Sequence, residues 1–162
     1  MDRIEAVSIT RIPADFDRWE DVLALIMRAF ASMDGVIDPP SSAHLLTANS
    51  LRDKAQRETG FVALRGDRIV GCVFAVERVA ELYVGKLAVA PDCQGQGIGR
   101  RLMQAIEDLA RSRGKCAIEL QTRIELTANH AAFARLGFRE TERTAHEGYA
   151  RPTSITMRKA LP

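Results

Sequence analysis

Cysteine is scarce in this 162-residue chain, and its three cysteines, Cys72, Cys93 and Cys116, form no CxxC pair. An odd number at wide spacing argues against a disulfide framework or a zinc site and predicts no metal centre; it is the usage of a reduced, cytoplasmic protein. Long apolar runs are missing too, since none approaches the roughly 18–20 residues needed to span a bilayer. The N-terminal stretch Met1-Asp2-Arg3-Ile4-Glu5 lacks the apolar core of an export signal. Charge of one sign is not in excess. With 23 Lys+Arg against 21 Asp+Glu the net charge is +2, too balanced for a nucleic-acid or membrane binder. Internal repeats, low-complexity tracts and long linkers are absent, so residues 1–162 read as a single domain.

What is present is ordinary in bulk. A hydrophobic share of 46% against 27% charged excludes a collagen-like, coiled-coil or disordered chain. A domain of this size buries roughly 68–70% of its unfolded surface, enough for a core without staples. The charges are nevertheless uneven: residues 1–90 carry 11 basic and 13 acidic side chains, residues 91–162 carry 12 and 8. A mildly basic second half suits a small anionic ligand.

Periodicity predicts the elements. Val7–Ile12 is a strand, and after a candidate cap at Asp15 the stripe Trp19, Val22, Leu23, Ile26, Phe30 and Met33 marks one face of a helix. Asp34–Ser42, with Gly35 and two prolines, is a loop. Ser50-Leu51-Arg52-Asp53 has the form of a capping box opening a second helix. Phe61–Leu64 and Ile69–Val76 are strands joined by a turn at Gly66-Asp67, and Glu81–Val89 is another. Gly97–Arg113 is a helix stopped by Gly114, Ala117–Gln121 a strand, and Ala128–Leu136 a helix stopped by Gly137. Phe138–Thr144 and Ser154–Lys159 are the last strands. The order β-α-α-β-β-β-α-β-α-β-β implies a mixed sheet covered by helices.

The sharpest chemistry lies in Leu87-Ala88-Val89-Ala90-Pro91-Asp92-Cys93-Gln94-Gly95-Gln96-Gly97-Ile98-Gly99-Arg100-Arg101. Three alternate glycines open a helix whose first N–H groups have no intrahelical partner, which suits phosphate oxygens. Arg100 and Arg101 add cations at the same end. No GxxxxGK[ST] occurs, and a dinucleotide fingerprint starting at Gly95 would need glycine where Arg100 stands. A nucleotide-binding reading therefore rests on the glycines alone. Gln94-x-x-Gly97-x-Gly99 instead resembles the pyrophosphate turn of the GNAT family of acyl-CoA-dependent N-acetyltransferases. Asn129-His130-Ala131-Ala132-Phe133-Ala134-Arg135-Leu136-Gly137-Phe138 resembles the family's later helix and strand. The likeness covers roughly residues 58–160 well; residues 1–57 match only in layout.

That resemblance implies an α/β (α+β) fold, a mixed, mostly antiparallel twisted sheet of about seven strands flanked by helices. It implies acetyl-CoA as cosubstrate, a small-molecule or peptide amine as acceptor and, since family members are often dimers, a homodimer. The backbone from Leu87 through Ala88 to Val89 would bind the pantetheine arm. Gln94, Gly95, Gln96, Gly97, Ile98, Gly99 and Arg100 would cradle the pyrophosphate, with Asn129 and Phe133 on the other side of the arm. The Leu87 N–H, at a strand bulge, would stabilise the developing oxyanion. A neutral amine must attack, and Tyr83 stands where many members carry a glutamate base. Glu81 lies one pleat away on the same strand face, so the two form the candidate catalytic pair, with Glu119 a further option. Phe133 departs from the pattern, because the family usually has a tyrosine acid there. Either departure proceeds without that acid, or Tyr149 or His146, in the loop between the last strands, or an ordered water supplies the proton. The alternative, with Phe133 as its main argument, is a non-catalytic acyl-CoA-binding sensor or regulatory module. Asp34 and Asp38, in the loop expected to shape the acceptor site, would attract a cationic amine.

Overall fold

The computed structural model describes residues 6–162; the segment Met1–Glu5, read above for export signals, lies outside them. The elements are β1 (Val7–Arg11), α1 (Trp19–Phe30), α2 (Ala48–Arg57), β2 (Thr59–Arg65), β3 (Arg68–Glu77), β4 (Glu81–Val89), α3 (Ile98–Ser112), β5 (Ala117–Arg123), α4 (Thr127–Arg135), β6 (Arg139–Thr144) and β7 (Ser154–Ala160), with short 3-10 turns between some of them. The seven strands form one sheet in the order β1-β2-β3-β4-β5-β7-β6. Among the described residues only β4 and β5 pair in parallel, and no helix is long and apolar enough to cross a membrane.

Strand alternation sorts the helices onto two faces. A Cβ on Gly71 would press on Leu102 and Ile98 of α3, whereas Lys54 of α2 lies over the ring of Phe74. Positions 71 and 74 differ by an odd number, so α3 and α2 cover opposite faces. Leu25, Ile26 and Leu51 fill the layer under α1 and α2; Leu102 and Ile106 fill the layer under α3. The buried residues of α1 (Trp19, Val22, Leu25, Ile26) and of α3 (Ile98, Leu102, Ile106, Ala110) recur at three- and four-residue spacing, which is why each of these helices turns one face inward.

Local signals shift a few boundaries. The capping box uses Thr47 and Ser50: the Ser50 N–H donates to Thr47 Oγ1 at 3.0 Å, and the Thr47 N–H donates to Ser50 Oγ at 2.8 Å. Ser50 is thus the third residue of α2 and not its cap. Helix α1 starts beyond Asp15, without a side-chain cap, and Met33 falls in a 3-10 turn after its end.

Candidate active site

The parallel pairing of β4 with β5 runs only from Glu81 opposite Ala117 to Val84 opposite Leu120. Beyond it β4 stays on β3 and β5 stays on β7, so the two strands part. A bulge in β4 drives the parting. Phe74 faces Gly85 and Cys72 faces Ala88, leaving one residue of β4 in excess. Lys86 sits there at φ 52, a left-handed conformation that costs a lysine energy. The Ala90 N–H donates to the Val70 carbonyl at 2.8 Å, so alternation turns the N–H groups of Leu87 and Val89 to the other edge, into the wedge.

The wedge opens into a cavity of about 750 Å³, lined by Tyr83 to Leu87 of β4, Leu120 to Arg123 of β5, Asn129 and Phe133 of α4, and the loop around Pro40. This is the size of a small-molecule site, roughly 300–1,000 Å³. Thr122 Oγ1 is buried there without a partner, as is expected where an amide-bearing ligand completes the bonding. Asn129 lines the cavity and does not cap α4, whose first turn has no side-chain cap. Phe133 lines it too, packed edge-on against Phe138 at 5.8 Å between ring centres.

Past the end of β4 comes the glycine turn. Gly95 and Gly97 have φ 75 and 81, which side-chain-bearing residues rarely adopt. The next residues enter α3 with the N–H groups of Ile98, Gly99 and Arg100 unpaired within the helix. Arg65 donates to Gln96 Oε1 at 2.5 Å and Gln94 Nε2 to the Val89 carbonyl at 3.4 Å, fixing the loop. Asp92, beside the turn, is paired with Arg68, which holds its carboxyl at about 2. The turn therefore offers donors to an anion and fits a pyrophosphate. Arg101 does not contribute: it donates to the Val7 carbonyl at 2.5 Å, tying α3 to β1.

The remaining candidates divide. Tyr83 faces the cavity, and burial raises its pKa although the Arg78 guanidinium stands 4.2 Å over the ring. Glu81 does not line the cavity. It shares Arg158 with Glu119, at 3.4 and 3.3 Å. His146 does line it, and burial with the charge of Arg123 lowers its pKa. Its Nδ1 contacts Thr153 Oγ1, which also accepts the His146 N–H at 2.8 Å. Tyr149 is held away in the rim, where its hydroxyl donates to Asp38 at 2.6 Å. Arg151 binds the other Asp38 oxygen at 3.3 Å, and Asp34 meets His44 at 2.8 Å. Both loop aspartates already have protein partners, and neither lines the cavity. Lys86, Thr122 and Arg123 are site residues that the sequence did not single out; a lysine or arginine in a strand pattern reads as solvent-facing until the strands are seen to part.

A splayed parallel strand pair ending in an anion-binding turn is what the acetyltransferase resemblance implies, and residues 19–138 match the family described as "Acetyltransferase (GNAT) family". The chain belongs to this family. An IAA acetyltransferase of Azospirillum brasilense is 30% identical over 145 residues, 88% of this chain and 92% of that protein. An N-alpha-acetyltransferase 30 of Schizosaccharomyces pombe is 38% identical over 86 residues, and this match spans 50% of the present chain and 57% of that relative. A PaiA N-acetyltransferase of Thermoplasma acidophilum, solved in complex with coenzyme A, has a TM-score of 0.77 over 96% of this chain and 99% of that one, at 12% identity, a likeness of fold.

Proposed function

We propose that this acetyltransferase moves the acetyl group of acetyl-CoA to a primary amine by direct attack, with both substrates bound together. The observation that carries the reading is the continuous path from the glycine turn, along the free edge of β4, into the cavity. Bound acetyl-CoA supplies the activated acyl group. The N–H groups of Ile98, Gly99 and Arg100 hold the pyrophosphate, and those of Val89 and Leu87 hold the arm and the acetyl oxygen. Thr122 and Asn129 bond the arm from the β5 and α4 side.

Proton transfer falls to groups that face the cavity. An alkylammonium titrates near 10.4, so the acceptor must be deprotonated before it attacks. His146 is neutral at pH 7, and its Nε2 has no protein partner among the described residues; it takes that proton while Thr153 orients the ring through Nδ1. Tyr83, kept a phenol by burial, orients the amine and gives its proton to the departing thiolate, taking back the proton that the attacking nitrogen sheds, the task Phe133 has no proton to perform. Glu81 connects to Tyr83 only through Arg158, Glu119 and Arg78, and touches neither substrate.

Phe133 also favours a second reading, a non-catalytic acyl-CoA sensor. One experiment decides between them. Purified protein is first tested for stabilisation by acetyl-CoA, then assayed for thiol release with a panel of amines and peptides. Amine-dependent release is expected. Stabilisation without release from any amine would favour the sensor.

A further inference from the structure

The charge lining the acceptor side of the cavity is of one sign. Its lining residues include Lys54, Lys86, Arg123, His44 and His146, and no aspartate or glutamate. Two of these are already balanced: Lys54 pairs with Glu58 at 2.7 Å, and His44 with Asp34. The other two cations are not. Among the described residues no carboxylate lies within ion-pair distance of Lys86 or Arg123, and Arg123 Nη1 is buried without any partner. Asp38 and Glu125 act on Arg123 from beyond ion-pair distance: Tyr149 and Arg151 take Asp38, and the Asp38 N–H and Arg151 take Glu125 Oε1, while Glu125 Oε2 is buried without a partner.

The two free cations converge. Lys86 Nζ donates to Ser42 Oγ at 3.2 Å, and Arg123 Nη2 donates to the Pro40 carbonyl at 3.1 Å, two residues apart on one loop. The bulge that brings Lys86 there is the one strained non-glycine φ among the described residues, and strain of this kind persists where a site needs the side chain's direction. Desolvation, with the charge of nearby Lys54, pulls the Lys86 ammonium below its usual pKa, so an anion beside it would relieve a native-state penalty. Beside Ser41 and Ser42 this side carries the apolar Phe30, Met33, Ile37 and Leu45.

We infer that the acceptor is an amine that also bears a carboxylate, seated between Lys86 and Arg123 with an apolar body against Met33 and Leu45. This rests on the acetyl-transfer reading and narrows it, because a polycationic amine would meet two uncompensated like charges. A free amino acid and a peptide with a free C-terminus present the same chemistry.

The test compares each acid with its own amide. Thermal shift with acetyl-CoA alone comes first; no stabilisation would overturn the acetyl-transfer reading itself, and this inference with it. Initial rates are then measured with leucine and leucinamide, with Met-Leu-Phe and its C-terminal amide, and with spermidine. Either acid should exceed its amide by about tenfold or more in kcat/KM, because the amide leaves the cations unpaired. The pair showing the larger ratio identifies the source. In Lys86→Met, and independently in Arg123→Gln, that ratio should fall toward one. Equal use of acid and amide by the unaltered protein, or preference for spermidine, refutes the assignment. If no amine turns over, calorimetry on CoA-loaded protein with N-acetylleucine and N-acetylleucinamide replaces the rates. Tighter binding of the acid supports the carboxylate seat; equal or absent binding removes it.

Discussion

Burial and the charge of Arg123 hold the His146 imidazole neutral into mildly acidic solution, and a base must be neutral to act. Because its folded pKa lies below the ordinary value near 6.5, activity should persist below pH 6.5 and fall only as the pH drops through the lower folded value. Replacing His146 by Gln should remove that acid limb and reduce kcat by about 10²-fold at pH 7. Tyr83→Phe should reduce kcat while leaving the acid limb in place. Profiles of kcat/KM against pH on the three proteins separate the roles, and an acid limb that survives His146→Gln would contradict the base assignment. The linked stability has the same sign. A depressed histidine contributes fully above about pH 6.5 and loses its contribution as the pH falls, since the unfolded chain then binds the proton more readily.

At the level of elements, the glycine turn and the bulge each place backbone rather than side chains where a ligand needs it. Gly97 has φ 81 at the head of α3, so any L-residue there is strained as well as bulky. Gly97→Glu should abolish coenzyme A binding measured by calorimetry, by adding bulk and negative charge at the donors; retained micromolar binding would disprove the pyrophosphate placement. This turn was legible in the sequence because Gln94-x-x-Gly97-x-Gly99 is contiguous, as are the apolar stripes of α1 and α3. The bulge was expected from the family resemblance, but not that Lys86 occupies it. Its position depends on how β4 lies on β3, and nothing in Gly85-Lys86-Leu87 alone sets that pairing. The partners of the acceptor-side charges were not legible for a related reason. Nothing near Asp34 or Asp38 in the sequence points to His44, Tyr149 and Arg151, which folding sets beside them.

Across the whole molecule, those partners bind the loop after α1 to the loop between β6 and β7. Asp38 receives Tyr149 and Arg151, and Arg151 reaches Glu125 at 3.6 Å. Exposed ion pairs of this type contribute only about 0–1 kcal/mol to global stability. Their effect should instead be on the order of the cavity mouth. Tyr149→Phe should leave Tm within about 2 °C yet raise KM for the acceptor severalfold, roughly the cost of ordering one or two more side chains on binding. Hydrogen exchange in residues 34–42 should quicken in the same variant. An unchanged KM with unchanged exchange would show that the clamp does nothing for the acceptor.

The sequence by itself determined the succession of strands and helices, the family-like turn from Gln94 to Arg100, and Phe133 in place of the expected tyrosine. Those features are local, set by periods of two and 3.6 residues and by glycines a few positions apart. Tertiary structure decided where β4 and β5 part, which of Tyr83, Glu81 and His146 face the cavity, and that Lys86 and Arg123 stand there without carboxylates. Such facts depend on pairings between distant residues, as from Asp38 to Tyr149, 111 positions apart. A side chain's charge is written in its own residue, but whether that charge is neutralised is decided only by what the fold sets beside it.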